Sequence, residues 1–503
     1  MAAVLKYFRL KKIHFTLFGI GLAAIAIRIF QLGKQSFWHD EILSILIVES
    51  SWSQIYKDSY IMTSISPFFY YLIKPFSYFN NTEFFTRIPS VFCALISIYL
   101  LYTIANKLFK KDVAISATFL LSMSSLHVWY SQEMRPYSML LFLSLLSLNI
   151  LIKIVYENKN GWWYFAFIVS TASIFYCHTL GIAFVGVLFF CALIFSPREN
   201  LVKWIATFAF IGLLILPVIL ELYLIPKLRS ADSFRSFNVL SIPYTFWVFI
   251  SGYSLGPSVA ELHTQDSMKY LKNSLLFIVP TGSYFALLLF KGFFELKKNK
   301  SNFILIFLWI SVPAVFALLG SFFSNQPFNA RYVILVFPAI ILLWAIAIAS
   351  IGNKKIQLFS LGLYFLINIV SLSNLFFNPR YFKEDNRAAS LFFKQHAAKA
   401  DMVICSAFYA KKGLQYYTDH PESKLIGYRP NKMESRAGII TADLKEIIGT
   451  QQSFWLFLSR NYNQKQVDII RKYCDKFFVR AIDEKFTGVE LTFYKINKSH
   501  STN

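Results

Sequence analysis

The sequence predicts a polytopic α-helical membrane protein with about eleven spans, followed by a small α/β domain. Three observations predict it. Of the 503 residues, 56% are hydrophobic and only 15% are charged, with a mean hydropathy of +0.49. A soluble fold with so little charge would expose broad apolar patches. Apolar stretches close to the roughly 20 residues that cross a bilayer recur along the first three quarters of the chain. Near residue 380 the composition changes, and short apolar runs begin to alternate with amphipathic ones.

The elements follow in order. Lys6, Arg9, Lys11 and Lys12 precede the first apolar stretch, 13–33. It has no small-residue cleavage site, so it reads as a retained first span and not a removed signal peptide. Further spans are expected at 84–106, 112–129, 136–154, 162–179, 181–196, 203–225, 272–291, 302–321, 331–350 and 356–375. With the N-terminus in the cytoplasm, the inner connections carry Lys107, Lys110 and Lys111, then Lys153 and Lys159, Arg198 and Lys203, Lys291, Lys297, Lys298 and Lys300, and Lys354 and Lys355. Every inner connection is therefore basic, as topology requires of a cell (plasma or inner) membrane protein. Two long loops, 34–83 and 226–271, and the C-terminal domain then lie outside the cytoplasm. The apolar stretch 67–79, bounded by Pro67 and Pro75, is too short to span and reads as amphipathic helix in the interface. The second loop holds Pro226, Pro243, Gly252, Gly256 and Pro257.

These boundaries divide the chain into a membrane domain, 1–379, and an α/β domain, 380–503. In the latter, Asp385 is placed to cap a helix running to about residue 398. Strands are expected at 401–407, 452–458, 477–482 and 486–495. Helices are expected at 409–418, 441–449 and 463–476. Cys93, Cys177 and Cys191 fall in apolar segments. Cys405 and Cys474, in the tail, read as two buried thiols in preference to a disulfide.

The net charge is +23. Much of it is topogenic, which makes nucleic acid a poor partner and anionic lipid a natural one. The informative charges are those at the outer rim: Arg28, Asp40, Glu41, Arg87, Glu133, Arg135, His178, Glu221 and Arg331. Charges beside apolar spans are costly and face a cavity or a partner. Carboxylates and arginines on one rim suit a reaction between an acceptor hydroxyl and a phosphate-linked donor, the carboxylate as base and the arginines on the phosphate.

Each residue also has a plain structural reading. Asp40 is placed to cap the helix that follows it. Glu133 and Arg135 can pair with each other and anchor a turn ahead of Pro136, at the first turn of the next helix. Arg331 and Tyr332 can anchor at the interface, although an outer arginine runs against the topogenic bias. His178 stands alone and reads best as a satisfied histidine. Glu221 has no evident partner. Lys227, Arg229 and Arg235 surround Asp232 and suit an anionic head group or a solvated surface. No His/Cys cluster has metal-ligand spacing, and no Gly-rich phosphate loop is present. No cofactor is required on this reading. A divalent cation between the Asp40–Glu41 pair and Glu133 is a lesser alternative.

Several stretches carry a resemblance. They are Phe-Trp-His-Asp-Glu-Ile-Leu-Ser (37–44), Ser-Pro-Phe-Phe-Tyr-Tyr-Leu-Ile-Lys (66–74), Phe-Thr-Arg-Ile-Pro-Ser (85–90), Tyr-Ser-Gln-Glu-Met-Arg-Pro-Tyr (130–137), Tyr-Cys-His-Thr-Leu-Gly (176–181), Ala-Arg-Tyr-Val-Ile-Leu-Val-Phe-Pro-Ala (330–339) and Lys-Glu-Asp-Asn-Arg-Ala-Ala (383–389). In this order they resemble the bacterial protein O-mannosyltransferases (glycosyltransferase family 39) and the related aminoarabinose transferases of lipid A, which are GT-C membrane glycosyltransferases. The resemblance implies a polyprenyl-phosphate sugar donor and a glycan, lipid or protein acceptor. It makes Asp40 the catalytic base with Glu41 in support, and puts Arg135, Arg331 and Arg28 on the donor phosphate. Arg87, Glu133, Tyr137, His178 and Tyr332 fall in the matching stretches as further substrate-binding candidates. Two departures stand out. Ile65-Ser66-Pro67 replaces the family's His-Pro-Pro, so no role for that histidine carries over. Residues 196–300 match poorly, which leaves the acceptor open. The expected reaction is inverting transfer of one hexose or pentose at the outer face. The alternatives are a lipid or solute transporter, which would need mid-membrane charges on broken helices, and a glycan ligase or polymerase using a lipid diphosphate.

Overall fold

The computed structural model describes residues 2–63, 65–80, 82–225, 238–264, 266–324, 328–406, 410–418, 420–428, 437–459 and 463–496, with side chains from residue 14 onward. It divides into two compact units. The first comprises 1–32, 47–255 and 276–372; the second comprises 33–46, 256–275 and 373–503.

The first unit is helical. Seven described helices are long and apolar enough to cross a membrane: Thr82–Leu108, Tyr137–Glu157, Arg198–Leu224, Ser267–Leu296, Lys300–Phe323, Ala330–Ser350 and Lys354–Phe377. Three apolar helices shorter than those, His14–Ile29, Trp162–Cys177 and Gly181–Phe195, lie at the positions of further expected spans. The stretch expected at 112–129 is a bent pair, Lys111–Met123 and Ser125–Ser131, with 58° between them. Ser124 sits in extended backbone and breaks the first helix, while its hydroxyl accepts from the His127 amide and starts the second. The expected interfacial stretch 67–79 is a six-residue helix, Phe68–Ile73, running into a 3-10 turn at Lys74–Tyr78.

Basic connections meet at one end of the bundle. Lys107 pairs with Glu157 at 2.9 Å, Lys203 Nζ donates to Asn160 Oδ1 at 3.3 Å, and Asn302 Nδ2 donates to the Leu108 carbonyl at 2.9 Å.

A buried knot holds the bend at Ser124. Asn368 Oδ1 accepts from the Ser125 amide (2.7 Å), Asn368 Nδ2 donates to the Ile250 carbonyl (3.0 Å), and the Ser125 and Ser371 hydroxyls bond at 2.8 Å. Gly252 closes it with φ +70°, and a Cβ there would lie 2.7 Å from Ser125 Oγ and 3.1 Å from the Leu126 nitrogen. Backbone conformation and crowding both oppose a side chain. Gly252→Ala should destabilise the protein by about 1–3 kcal/mol, read as a lower melting temperature of the purified protein. An unchanged midpoint would refute the account.

The second unit contains a five-stranded sheet: β1 Val403–Ser406, β2 Leu425–Gly427, β3 Ser453–Ser459, β4 Phe478–Phe486 and β5 Val489–Ile496. Its order is β2-β1-β3-β5-β4; β1 pairs parallel with β2 and β3, and the β3–β5 and β4–β5 pairs are antiparallel. Four of the strands match the expected ones, and β2, only three residues long, shows no readable period. Both faces are covered. Alternate residues of β3 point oppositely: Phe454, Leu456 and Leu458 pack with helices Ala437–Ile448 and Gln464–Phe477, while Trp455 and Phe457 pack with Asn386–His396 and Ala410–Tyr417. Asp385 caps the helix Asn386–His396 as expected, accepting from the Ala388 amide at 3.0 Å. Cys405 and Cys474 belong to the cores on opposite faces, so each is a free buried thiol.

Asp475 accepts from Arg480 through two bonds (2.8 and 2.7 Å) and from the Tyr494 hydroxyl (3.1 Å). The guanidinium bonds hold its carboxyl below the ordinary value, against burial, with Tyr494 adding to them. A lowered folded value means the contribution is complete above the unfolded value, near pH 4. It is lost as pH falls through the folded value. The melting temperature of the full chain should therefore fall on acidification below about pH 4, and Asp475→Asn should flatten that dependence. An equally steep acid limb in the variant would count against the pair.

Candidate functional site

The polar residues of interest fall in both units, and each unit is described by itself.

In the first unit the turn 132–136 joins helix Ser125–Ser131 to helix Tyr137–Glu157. It is fixed from three sides. Ser90 Oγ donates to the Glu133 carbonyl at 2.7 Å. Gln132 Nε2 donates to the carbonyls of Arg28 (3.0 Å) and Phe30 (2.9 Å), capping the C-terminal end of the first helix. Ser138 Oγ donates to the Tyr130 carbonyl at 2.9 Å. Glu133 and Arg135 are both buried in this turn. A buried arginine and carboxylate are retained only where charges compensate.

A hydrogen-bonded chain runs from the turn to Arg331. The Tyr130 and Tyr253 hydroxyls bond at 2.9 Å, and Tyr253 donates to Asn329 Oδ1 at 3.4 Å. The same Asn329 oxygen caps the 3-10 turn Ala330–Val336 by accepting from the Arg331 amide at 3.1 Å. Burial raises the Tyr253 phenol above its ordinary value. The Arg331 guanidinium lies over the Tyr332 ring, 5.3 Å from its centre.

His178 packs on Tyr137 with ring centres 5.6 Å apart, and its Nδ1 accepts from the Leu180 amide at 3.1 Å. The charges of both Arg135 and Arg331 bear on its ring. Glu133, Arg135, Tyr137, His178, Arg331 and Tyr332, chosen from three separate sequence stretches, thus gather at one end of the bundle. The buried Arg135 and the half-buried Arg331 belong to this cluster, and arginines so placed suit an anion such as a phosphate.

Arg28 and Arg87 are placed differently. Arg28 is fully buried and donates to the carbonyls of Ala24 (3.0 Å), Leu121 (3.5 Å) and Ser122 (3.1 Å), with His127 Nδ1 at 2.7 Å. Arginine cannot accept, so this nitrogen is the acceptor and the His127 ring carries its proton on Nε2. Arg28 therefore braces the end of helix Lys111–Met123 at the bend. Arg87 Nη1 donates to the Leu32 carbonyl at 2.8 Å. Glu221 accepts from the Tyr56 hydroxyl, a partner the sequence did not disclose. The Lys227–Arg235 loop lies outside the described residues.

In the second unit, Asp40 and Glu41 lie in the first turn of helix His39–Glu49. The helix starts two residues earlier than a cap at Asp40 would place it, so Asp40 lies inside its first turn and does not cap it. Both carboxylates sit where the helix dipole favours negative charge. Glu41 is fully buried, whereas Asp40 is half-buried and can reach solvent or a ligand. Ser44 Oγ donates to the Asp40 carbonyl at 3.0 Å.

Reasoning from the sequence missed Tyr130, Tyr253 and Asn329. Asn329 carried a signal, standing next to Ala330-Arg331 at the start of a span; the tyrosines carried none, among 28. Among the described residues, no three His, Cys, Asp or Glu side chains gather to hold a metal ion.

Residues 64–223 match the family model described as dolichyl-phosphate-mannose-protein mannosyltransferase. No curated protein matches the chain. Among solved structures, ArnT from Cupriavidus metallidurans in its apo state superposes with a TM-score of 0.55 at 10% identity, over 94% of this chain and 97% of that one. The same protein bound to undecaprenyl phosphate gives 0.55 at 11%, again over 94% and 97%. The oligosaccharyltransferase AglB from Archaeoglobus fulgidus, in complex with an inhibitory peptide and a dolichol-phosphate, gives 0.56 at 11%, over 98% of this chain and 75% of that one. At such identities the agreement speaks for the fold. Taken with the family model, it makes the chain a multi-pass membrane protein of the GT-C glycosyltransferase fold, similar over residues 64–223 to the mannosyltransferases that use dolichyl-phosphate mannose.

Proposed function

We propose that the protein transfers a single sugar, with inversion, from a polyprenyl-phosphate donor to an acceptor hydroxyl or phosphate at the outer face of the membrane. The observation that carries this reading is the polar cluster at one end of a GT-C bundle, where the Tyr130–Tyr253–Asn329 chain leads to Arg331 and His178 packs on Tyr137 beside the buried Arg135. The loop charges support an outer location for that end, with the N-terminus cytoplasmic and the C-terminal domain outside.

For a hydroxyl acceptor the steps balance simply. Asp40 takes the proton, and the acceptor oxygen attacks the anomeric carbon. The bond from that carbon to the phosphate oxygen breaks, and its electron pair leaves with the polyprenyl phosphate. Arg135 and Arg331 stabilise the charge gained by the phosphate, with Tyr137, His178 and Tyr332 shaping the pocket beside them. Glu133 balances Arg135, and Glu41 holds the loop of the base. Arg28 and Arg87 brace the surrounding helix ends through backbone carbonyls, Arg28 with His127 beside it. The ArnT structure contains undecaprenyl phosphate and the AglB structure dolichol-phosphate, which supports a lipid-phosphate donor here.

The test compares lipids and envelope glycans, by mass spectrometry, from cells with and without the protein. Loss of one sugar residue from one acceptor, with its lipid-phosphate donor accumulating, is the expected result. A missing whole glycan would point to a ligase, and a redistributed lipid or solute with intact glycans to a transporter.

A further inference from the structure

The C-terminal α/β domain shares its unit with the loop that carries Asp40, and the contacts between them are dense. Phe37 lies three residues before Asp40 and is fully buried. Both of its main-chain groups are taken by side chains of the domain. Its amide donates to the Tyr417 hydroxyl at 2.9 Å, and its carbonyl accepts from Asn386 Nδ2 at 3.2 Å. Its ring packs edge-on against Tyr416, with centres 5.8 Å apart.

The neighbouring residues are held in the same way. Ser36 Oγ donates to the Glu384 carbonyl at 2.9 Å. Gln35 Oε1 accepts from the Lys383 amide at 3.2 Å, and the Lys34 carbonyl accepts from Arg387 Nη2 at 2.6 Å. The Lys383 ammonium lies 5.4 Å from the centre of the Trp38 ring. The segment Lys383–Arg387 is itself braced: Asp385 donates its amide to the Thr487 carbonyl at 2.8 Å in the β4–β5 turn. Gly413 lets the Asn386 side chain approach, since a Cβ there would lie 3.3 Å from its amide carbon and oxygen.

From these contacts we infer that the α/β domain is a positioning device for Asp40, acting through Asn386 and Tyr417 on the backbone of Phe37. The inference rests on the proposed role of Asp40 as base. Left unanchored, the residues leading into helix His39–Glu49 would let its first turn and the carboxylate shift, and misplacement by about 1 Å already costs of order 100-fold. Two side chains anchored on a packed sheet remove that freedom. Asn386 and Tyr417 are positioning residues; neither is assigned contact with substrate.

The test uses the full-length protein with Tyr417→Phe, Asn386→Asp and Gly413→Ala. Asn386→Asp preserves shape but removes the donor to Phe37, and Gly413→Ala displaces the Asn386 amide without changing it. In a deletion strain, at equal protein level, each should lower incorporation of the missing sugar about ten-fold, the double variant Tyr417→Phe/Asn386→Asp more. Hydrogen exchange of the purified variants supplies a readout that general destabilisation would not mimic. Amides of 37–44 should exchange faster while those of β1, β3 and β5 stay as in the wild type. Wild-type incorporation by the double variant would overturn the inference, as would faster exchange spread evenly over the sheet. Failure of the base assignment is recognised separately, by full activity of Asp40→Asn.

Discussion

Asp40→Asn should lower sugar incorporation by about 10²- to 10⁴-fold, the usual worth of a positioned general base, while the protein still folds and inserts. Asparagine keeps the shape and tolerates the first turn of helix His39–Glu49, and Asp40 is only half-buried. The loss would thus come from chemistry. A neutral amide cannot take the acceptor proton, and the hydroxyl must attack unassisted. The measurement is incorporation of the affected sugar in a deletion strain carrying the variant, with protein level checked by immunoblot. Undiminished incorporation would sink the base assignment. Glu41→Gln probes a different role. Glu41 is fully buried, so this change should act first on the amount of folded protein.

Arg331→Ala should cost about 10²- to 10³-fold, the effect of removing one preorganised donor from a developing charge. The leaving polyprenyl phosphate gains negative charge as the glycosidic bond breaks. A guanidinium already held in place stabilises that charge without reorganisation. Arg331 is held through its own backbone, by the Asn329 cap, and through stacking on Tyr332. Arg331→Lys should restore only part of the rate, because an ammonium lacks the planar fork that matches a phosphate. Accumulation of donor in the Arg331→Ala strain, with no change in protein level, is the confirming observation. Full activity of Arg331→Ala would remove it from the phosphate site.

The two effects differ in kind. Asp40 acts on the acceptor and Arg331 on the donor. An acceptor that is already a phosphate monoester would need no base, so Asp40→Asn would then be mild while Arg331→Ala stayed severe. The pair of variants therefore also reports on the acceptor, for which residues 196–300 gave no reading.

Composition and apolar length determined the membrane architecture by themselves. Burying or solvating a backbone in lipid leaves few solutions, and helices of about 20 apolar residues are written locally in the chain. Loop charges are equally local, which is why the basic connections could be read in advance. The alternation of short elements after residue 380 was legible for the same reason, down to the Asp385 cap. Asp40 could be singled out because a carboxylate beside an apolar span is conspicuous.

Only the tertiary structure separated arginines that look alike in sequence. Arg28 and Arg331 both stand near the ends of apolar stretches. One donates to backbone carbonyls at a helix bend, and the other lies over Tyr332 behind the Asn329 cap, at the end of the Tyr130–Tyr253–Asn329 chain. Nor could the sequence show that Asn329, Tyr253 and Tyr130 form one chain, or that Tyr417 and Asn386 reach back across some 350 residues to grip Phe37. The physical reason is range. Hydrophobic length and capping are decided within a few residues, whereas the partner of a buried polar group is set by whichever helix or sheet packing brings into hydrogen-bond distance.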